Sequence, residues 1–321
     1  MMSEKYLPCN LSASAEARNV LDYLSGLRGK GIVLGQHTQT RVQEELVYIH
    51  NITGKQPALC GFELLAYSPN INYRGSGNEC LTEVEENKDT LETAWAWTEN
   101  KGLITFTWHW FSPLFGADKA FYQRNTSFDA RLALEEGAPE REAFVSDMDA
   151  MARLLKPFCQ KRVPILWRPF HESNGNWFWW GSRGSETARA LYLDMYERYT
   201  RVHGLDNLIW VWNSPLPEGY VGDSYCDVIS RDVYLPDHTH GDYHEEYDEL
   251  VKITAAGKIT ALGETGPIPS LALLSRTRVP WTWFMTWSKG RCSENATSHD
   301  ELRAAYNSEY GVTLDRLPAL Y

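Results

Sequence analysis

The chain has 321 residues, 43% of them hydrophobic and 23% charged, with a formal net charge of -11. That balance excludes a disordered or fibrous chain, and an acidic surplus without a cluster of Lys and Arg argues against a nucleic-acid partner. No apolar run approaches the ~20 residues of a membrane span, so no membrane partner is expected either.

In chain order, short β-branched and aromatic runs recur between breakers: "KGIVLGQH", "ALCGFEL", "LITFTWHW", "VPILWRPFHE", "LIWVWNSP", "DVISRDVY", "ITALGETG" and "WTWFMTW". Helical spacing fills the intervals, as in "REAFVSDMDAMARLLKPFC" and "SETARALYLDMYERYTRVHG". Ser185, followed by Ala188 and Leu191, reads as a capped helix start, and Gly204 as the stop. About eight strand–helix units, with strands apolar on both faces, close most economically as an α/β fold of the (β/α)8 TIM-barrel type. An open doubly wound sheet lacks support, because no G-x-G-x-x-G follows the first strand. Without a linker or an internal repeat, residues 1–321 are expected to form a single catalytic domain.

Six cysteines (Cys9, Cys60, Cys80, Cys159, Cys226, Cys292) contain no C-x-x-C pair, which argues against zinc-ribbon or thioredoxin chemistry and leaves one or two disulfides open. The start "MMSEKYLPCN" lacks the basic and apolar segments of a secretory signal. The expectation is an intracellular protein, or a secreted one whose leader was removed before this point. "HTHGDYH" groups His238, His240 and His244 without the spacing of a strong zinc site, and no cofactor or metal is expected. No G-x-S-x-G elbow supports an esterase.

In such barrels the chemistry sits at the C-terminal strand ends. Here those ends carry Gln36 and His37, Glu63, His109, Arg168 with His171 and Glu172, Asn213, Asp232 with Tyr234, Glu264, and Trp287. Two of the glutamates, Glu172 and Glu264, end the fourth and seventh strands, on opposing sides of an eight-membered ring. Paired carboxylates across a cleft suit glycosidic cleavage: one donates a proton to the leaving oxygen, and the other attacks or activates water. Taken alone, Glu172 is as readily a solvated residue, and Glu264 sits in "ALGETG", where Gly263 and Gly266 can simply mark a turn. Together at this spacing they read as functional. Trp177 offers a flat apolar face for a sugar, while Trp179 and Trp180 read as packing.

"WRPFHESNGNWFWWG" closely resembles the acid/base segment of glycoside hydrolase family 26, composed mainly of endo-β-1,4-mannanases. "GQH", "WHW", "DVY", the Glu-x-Gly of Glu264 and Gly266, and "TW" extend the resemblance over nearly the whole chain. It implies a retaining double displacement with Glu172 as acid/base and Glu264 as nucleophile. Tyr234 would hydrogen-bond the nucleophile, His109 and Arg168 would line the sugar pocket, and Trp287 would form its floor. His171 would contact the sugar or orient its neighbour, and Asp232, in the same motif as Tyr234, is placed among the substrate-binding residues.

Arg168, Phe170 and Glu172 share parity, so an extended continuation is expected to point all three one way. Arg168 inside a barrel mouth must be paired, with Glu264 or Glu63 as partner. The family usually has Met where this chain has Ser173, a position expected to point away from the glutamate. The implied substrate is β-mannan polysaccharide or manno-oligosaccharide. Alternatives are a β-1,3-1,4-glucanase (lichenase) or β-1,3-xylanase of the same family, or a non-catalytic carbohydrate-binding barrel. A monomer is expected, and endo or exo action is open.

Overall fold

The eight apolar runs all become strands of one closed sheet: β1 (Ile32–Thr38), β2 (Leu59–Glu63), β3 (Leu103–Thr107), β4 (Ile165–Arg168), β5 (Leu208–Asn213), β6 (Val228–Val233), β7 (Ile259–Thr265) and β8 (Trp283–Thr286). The computed structural model describes residues 5–39 and 41–321. Each strand runs parallel to its neighbours, and β8 pairs with β1 through Val33 and Trp283, closing a (β/α)8 barrel. A two-residue strand absent from the sequence reading, β9 (Gly311–Val312), adds to the start of β1.

Alternation along each strand builds two cores. Val33, Leu59, Leu103, Leu166, Ile209, Val228, Ile259 and Trp283 fill the barrel interior together with Ala17, Val20, Leu21 and Leu24 of the helix Ala15–Leu27. Ile32, Leu34, Cys60, Ile104, Trp167, Trp210, Ile229, Leu262 and Phe284 face outward into the layer shared with the surrounding helices. Because the interior residues come mostly from strand starts, the first helix plugs the N-terminal end and only the C-terminal end opens. Each large side chain so buried contributes ~1.5–3 kcal/mol.

The helix Ser185–Glu197 starts where the sequence reading placed it, but Ser185 is not its cap. Gly184 (φ 89°) occupies that position and no side chain accepts a capping hydrogen bond. A glycine conformation carries the chain into the helix there, so a polar cap is not what starts it. The helix continues through a π turn, Arg198–Val202, and Gly204 (φ 56°) follows as the expected stop. All six cysteines are free thiols. Among the described residues, no helix is long and apolar enough to cross a membrane.

Candidate active site

Strand parity decides which polar residues enter the barrel mouth. Leu166 faces inward, so Arg168 does; Ile209 and Val211 carry the same parity to Asn213, and Val228 carries it to Ser230 and Asp232. On β7 strict alternation fails. Ile259 and Ala261 face inward, which would send Gly263 in and Glu264 out. A bulge corrects this: Leu262 pairs with Arg231 and Glu264 with Asp232, leaving Gly263 as the extra residue. A bulge, not a turn, therefore turns Glu264 into the mouth. A Cβ on Gly263 would lie 2.5 Å from Asp232 Oδ1 and 2.7 Å from Asn213 Nδ2. Gly263→Ala is expected to cost ~1–3 kcal/mol by overpacking and to reduce kcat through displacement of Glu264. Denaturant unfolding beside initial rates would check this; an unperturbed variant would mean the bulge tolerates a side chain.

The exit from β4 departs from the extended continuation expected. The strand ends at Arg168, and Phe170 (φ 51°) and Glu172 (φ 53°) are both left-handed, a costly conformation for non-glycine residues. Phe170 is buried in the outer layer, 6.1 Å from the ring of Trp110, so shared parity does not aim it with Arg168 and Glu172. Ser173 is buried in the same turn, and the extended-chain argument for its direction fails with it. Three hydrogen bonds hold this strained segment. Asn213 Oδ1 accepts from the Glu172 backbone N–H at 2.7 Å, Glu172 O accepts from Gly175 N–H at 3.0 Å, and Trp180 Nε1–H donates to His171 O at 2.8 Å. Trp179 and Trp180 are buried packing, as read from the sequence.

The two glutamates converge. One carboxylate oxygen from each of Glu172, Asp232 and Glu264 lies within 4.8 Å of the other two. Arg168 supplies the cation among them. Its Nη1 donates to both oxygens of Asp232 at 3.3 and 3.0 Å, and its Nη2 donates to Thr107 Oγ1 at 3.1 Å and to Glu264 Oε1. Of its two expected partners it takes Glu264; Glu63 instead accepts from His109, at 2.8 Å from the backbone N–H and 2.6 Å from Nδ1. Tyr234 OH donates to Glu264 Oε2 at 2.6 Å, and Trp177 Nε1–H to Glu172 Oε2 at 2.8 Å. Asp232 is committed to Arg168 and, at 2.8 Å, to Asn213 Nδ2–H, which makes it a strut behind Glu264 more than a free edge of the pocket.

Around the carboxylates stand the remaining predicted residues. His109 and His171 meet at 3.3 Å between their Nε2 atoms. Trp287 lies over His37, rings 4.2 Å apart and inclined by 28°, and its carbonyl accepts from Gln36 Nε2–H at 3.1 Å. Trp177 is 43% exposed, leaving its ring open at the rim. Asn213, Thr107 and Gln36 act in the site without having been given roles from sequence; the first and last ended apolar runs, which was their one signal. His240 is spent on Ile268 O at 2.7 Å, apart from the acidic cluster.

Charge is distributed unevenly. Burial first, then Asp232, raises the Glu172 carboxyl above its ordinary value, against the Trp177 N–H and Arg168. Burial and Asp232 also push Glu264 up to about 8, while Arg168 and Tyr234 pull the other way. The two glutamates therefore titrate as a pair, and near neutrality the pair holds a proton. Donors decide its place. Both oxygens of Glu264 accept hydrogen bonds, one from a guanidinium, whereas Glu172 accepts from a neutral indole. The guanidinium thus favours the negative charge on Glu264 and leaves the proton to Glu172. Burial, then the Glu264 charge, raises the Tyr234 phenol, so it remains a donor.

The family model for glycosyl hydrolase family 26 matches residues 9–316. The chain is 37% identical over 317 residues to a mannan endo-1,4-beta-mannosidase of Thermothelomyces thermophilus, covering 96% of this chain and 62% of that protein. It is 31% identical to mannan endo-1,4-beta-mannosidase A of Piromyces sp, covering 97% of this chain and 50% of that one. It thus spans between half and two thirds of these relatives' lengths. The solved Podospora anserina GH26-CBM35 β-(1,4)-mannanase superposes with a TM-score of 0.88 at 33% identity, over 100% of this chain and 71% of the other. A β-mannanase from a symbiotic protist of the termite Reticulitermes speratus, complexed with gluco-manno-oligosaccharide, gives 0.86 at 27% identity over 97% of both chains.

Proposed function

Since this chain belongs to glycosyl hydrolase family 26, we propose that it hydrolyses internal β-1,4-mannosidic bonds of mannan, glucomannan or manno-oligosaccharides by double displacement with retention. One observation carries the reading: the Glu264 carboxyl, held by Arg168 and Tyr234, faces Glu172 with oxygens within 4.8 Å. Retaining glycosidases separate their carboxyl groups by ~5–5.5 Å, whereas inverting ones need ~6.5–9.5 Å to admit a water.

Glu264 attacks the anomeric carbon from the α face while Glu172 gives its proton to the departing oxygen, leaving an α-linked glycosyl ester. Water then enters from the β face and gives a proton to the Glu172 carboxylate. It bonds to the anomeric carbon, and the ester bond to Glu264 breaks. Trp287 would floor the reacting sugar and Trp177 would stack on the leaving side, near the acid it hydrogen-bonds. Arg168 and Asp232 would act from behind, aiming the nucleophile, and His109 would line the pocket with His171 behind it.

Reducing-sugar release from mannan, glucomannan, lichenan and β-1,3-xylan tests the substrate, and the anomer first seen by proton NMR tests the stereochemistry. Release from lichenan or xylan alone would move the activity to a sister specificity. Binding without release from any would leave a carbohydrate-binding barrel. An α-anomer as first product would exclude double displacement.

Tyr234→Phe removes a donor to the Glu264 anion. That donor favours the charged form, so its loss raises the pKa of the nucleophile and moves the acid limb of the rate profile to higher pH. The fall in kcat is expected to be ~10²-fold, in the range found for removing one donor to a reacting oxyanion. A profile of kcat against pH for both proteins checks the direction.

A further inference from the structure

Glu63 has no part in the double displacement, yet it is fully buried at the end of β2 and bonded twice to one residue of the pocket wall. We propose that Glu63 is a positioning residue that orders the protons of the chain Glu63–His109–His171 and so keeps His109 in its protonated form beside the acid/base. This rests on the catalytic reading above.

The geometry leaves little freedom. A carboxylate that accepts from both the backbone N–H and Nδ1 of His109 obliges Nδ1 to carry hydrogen. At the 3.3 Å contact of the two Nε2 atoms, one histidine donates and the other accepts. His171 Nδ1 has no partner among the described residues, so nothing on its far side fixes its tautomer and the order is dictated from Glu63. His37 on β1 and His171 are held neutral, by burial first and by facing cations next. Arg168 on β4 is the nearby fixed cation; Glu264 on β7 and Glu83 favour a charge on His109. Burial is the largest single influence and opposes the imidazolium, but Glu63, joined by Glu264 and Glu83, raises His109 above its ordinary value. The rings of Phe121, Phe178 and Trp287, at 5.1, 5.3 and 5.9 Å, stand edge-on to the imidazole. A charge there lowers the pKa of Glu172, which makes it a stronger acid.

The experiment is a carbon-13 NMR titration of histidine-labelled protein, wild type and Glu63→Gln, with kcat/KM on mannan measured over the same pH range. In the wild type His109 is expected to titrate above its ordinary value, and in Glu63→Gln about one pH unit or more lower, a tenfold weaker proton affinity. The alkaline limb set by Glu172 moves to higher pH in the variant, because a nearby cation is lost. A wild-type His109 that titrates below its ordinary value overturns the proposal without any variant. So does an unchanged titration in Glu63→Gln, or a loss of rate that is equal at every pH. The NMR titration needs no substrate, so inactivity on mannan counts against the catalytic reading while the Glu63–His109 coupling is read separately.

Discussion

Glu264→Ala is expected to abolish turnover on every substrate, by roughly 10⁴-fold or more, because no other group can form the covalent ester. The same substitution should leave the fold intact or slightly more stable. Arg168 keeps both bonds to Asp232 and one to Thr107, so no buried cation is orphaned, while one of three crowded carboxylates disappears. Catalytic groups held in mutual repulsion are where activity and stability trade against one another. Added azide should enter the vacated space on the α face and convert an activated aryl β-mannoside into the α-mannosyl azide. Thermal midpoints and product configuration together separate this from damage to the barrel. If Glu264→Ala kept more than a few per cent of its turnover, or if azide gave the β product, position 264 would not be the nucleophile.

The barrel was legible in the sequence because parallel strands buried on both faces leave uninterrupted apolar runs, and their polar last residues mark the open end. His109, Arg168, Asn213 and Asp232 could all be placed near the mouth on that ground, since a strand end has a position whether or not its side-chain direction is known. Direction is what the sequence withheld. Glu264 enters the mouth through the bulge at Gly263, and a glycine in a strand looks like one in a turn until its neighbours Asp232 and Asn213 are seen to leave no room for a side chain. Glu172 reaches the mouth through two left-handed residues, neither a glycine, and nothing local marks such a conformation. Of its supports, Asn213 lies far along the chain and Trp180, though in the same motif, shows its hydrogen bond to His171 O only once folded. Pairing was withheld for a similar reason. Charge alone offered Arg168 either Glu63 or Glu264, and only the pairing of β2 with β3 set Glu63 against His109.

Glu172→Ala should split by substrate in a way that Glu264→Ala does not. On mannan, whose sugar leaving group needs protonation, kcat should fall ~10²–10⁴-fold, the contribution of a positioned general acid. On an aryl β-mannoside with an acidic phenol the first step needs little proton donation and should survive, while the second slows because no base activates water. The ester on Glu264 then accumulates, so the expected signature is a burst of phenol, a lowered KM and a slow steady state. Azide, which needs no base, should restore the steady state and yield the β-mannosyl azide, the opposite anomer to that from Glu264→Ala. Loss of the Trp177 hydrogen bond to Oε2 leaves an exposed indole that water can satisfy, so stability should change little. Equal losses on both substrates, with no burst and no rescue, would mean that the proton reaches the leaving oxygen from some other group.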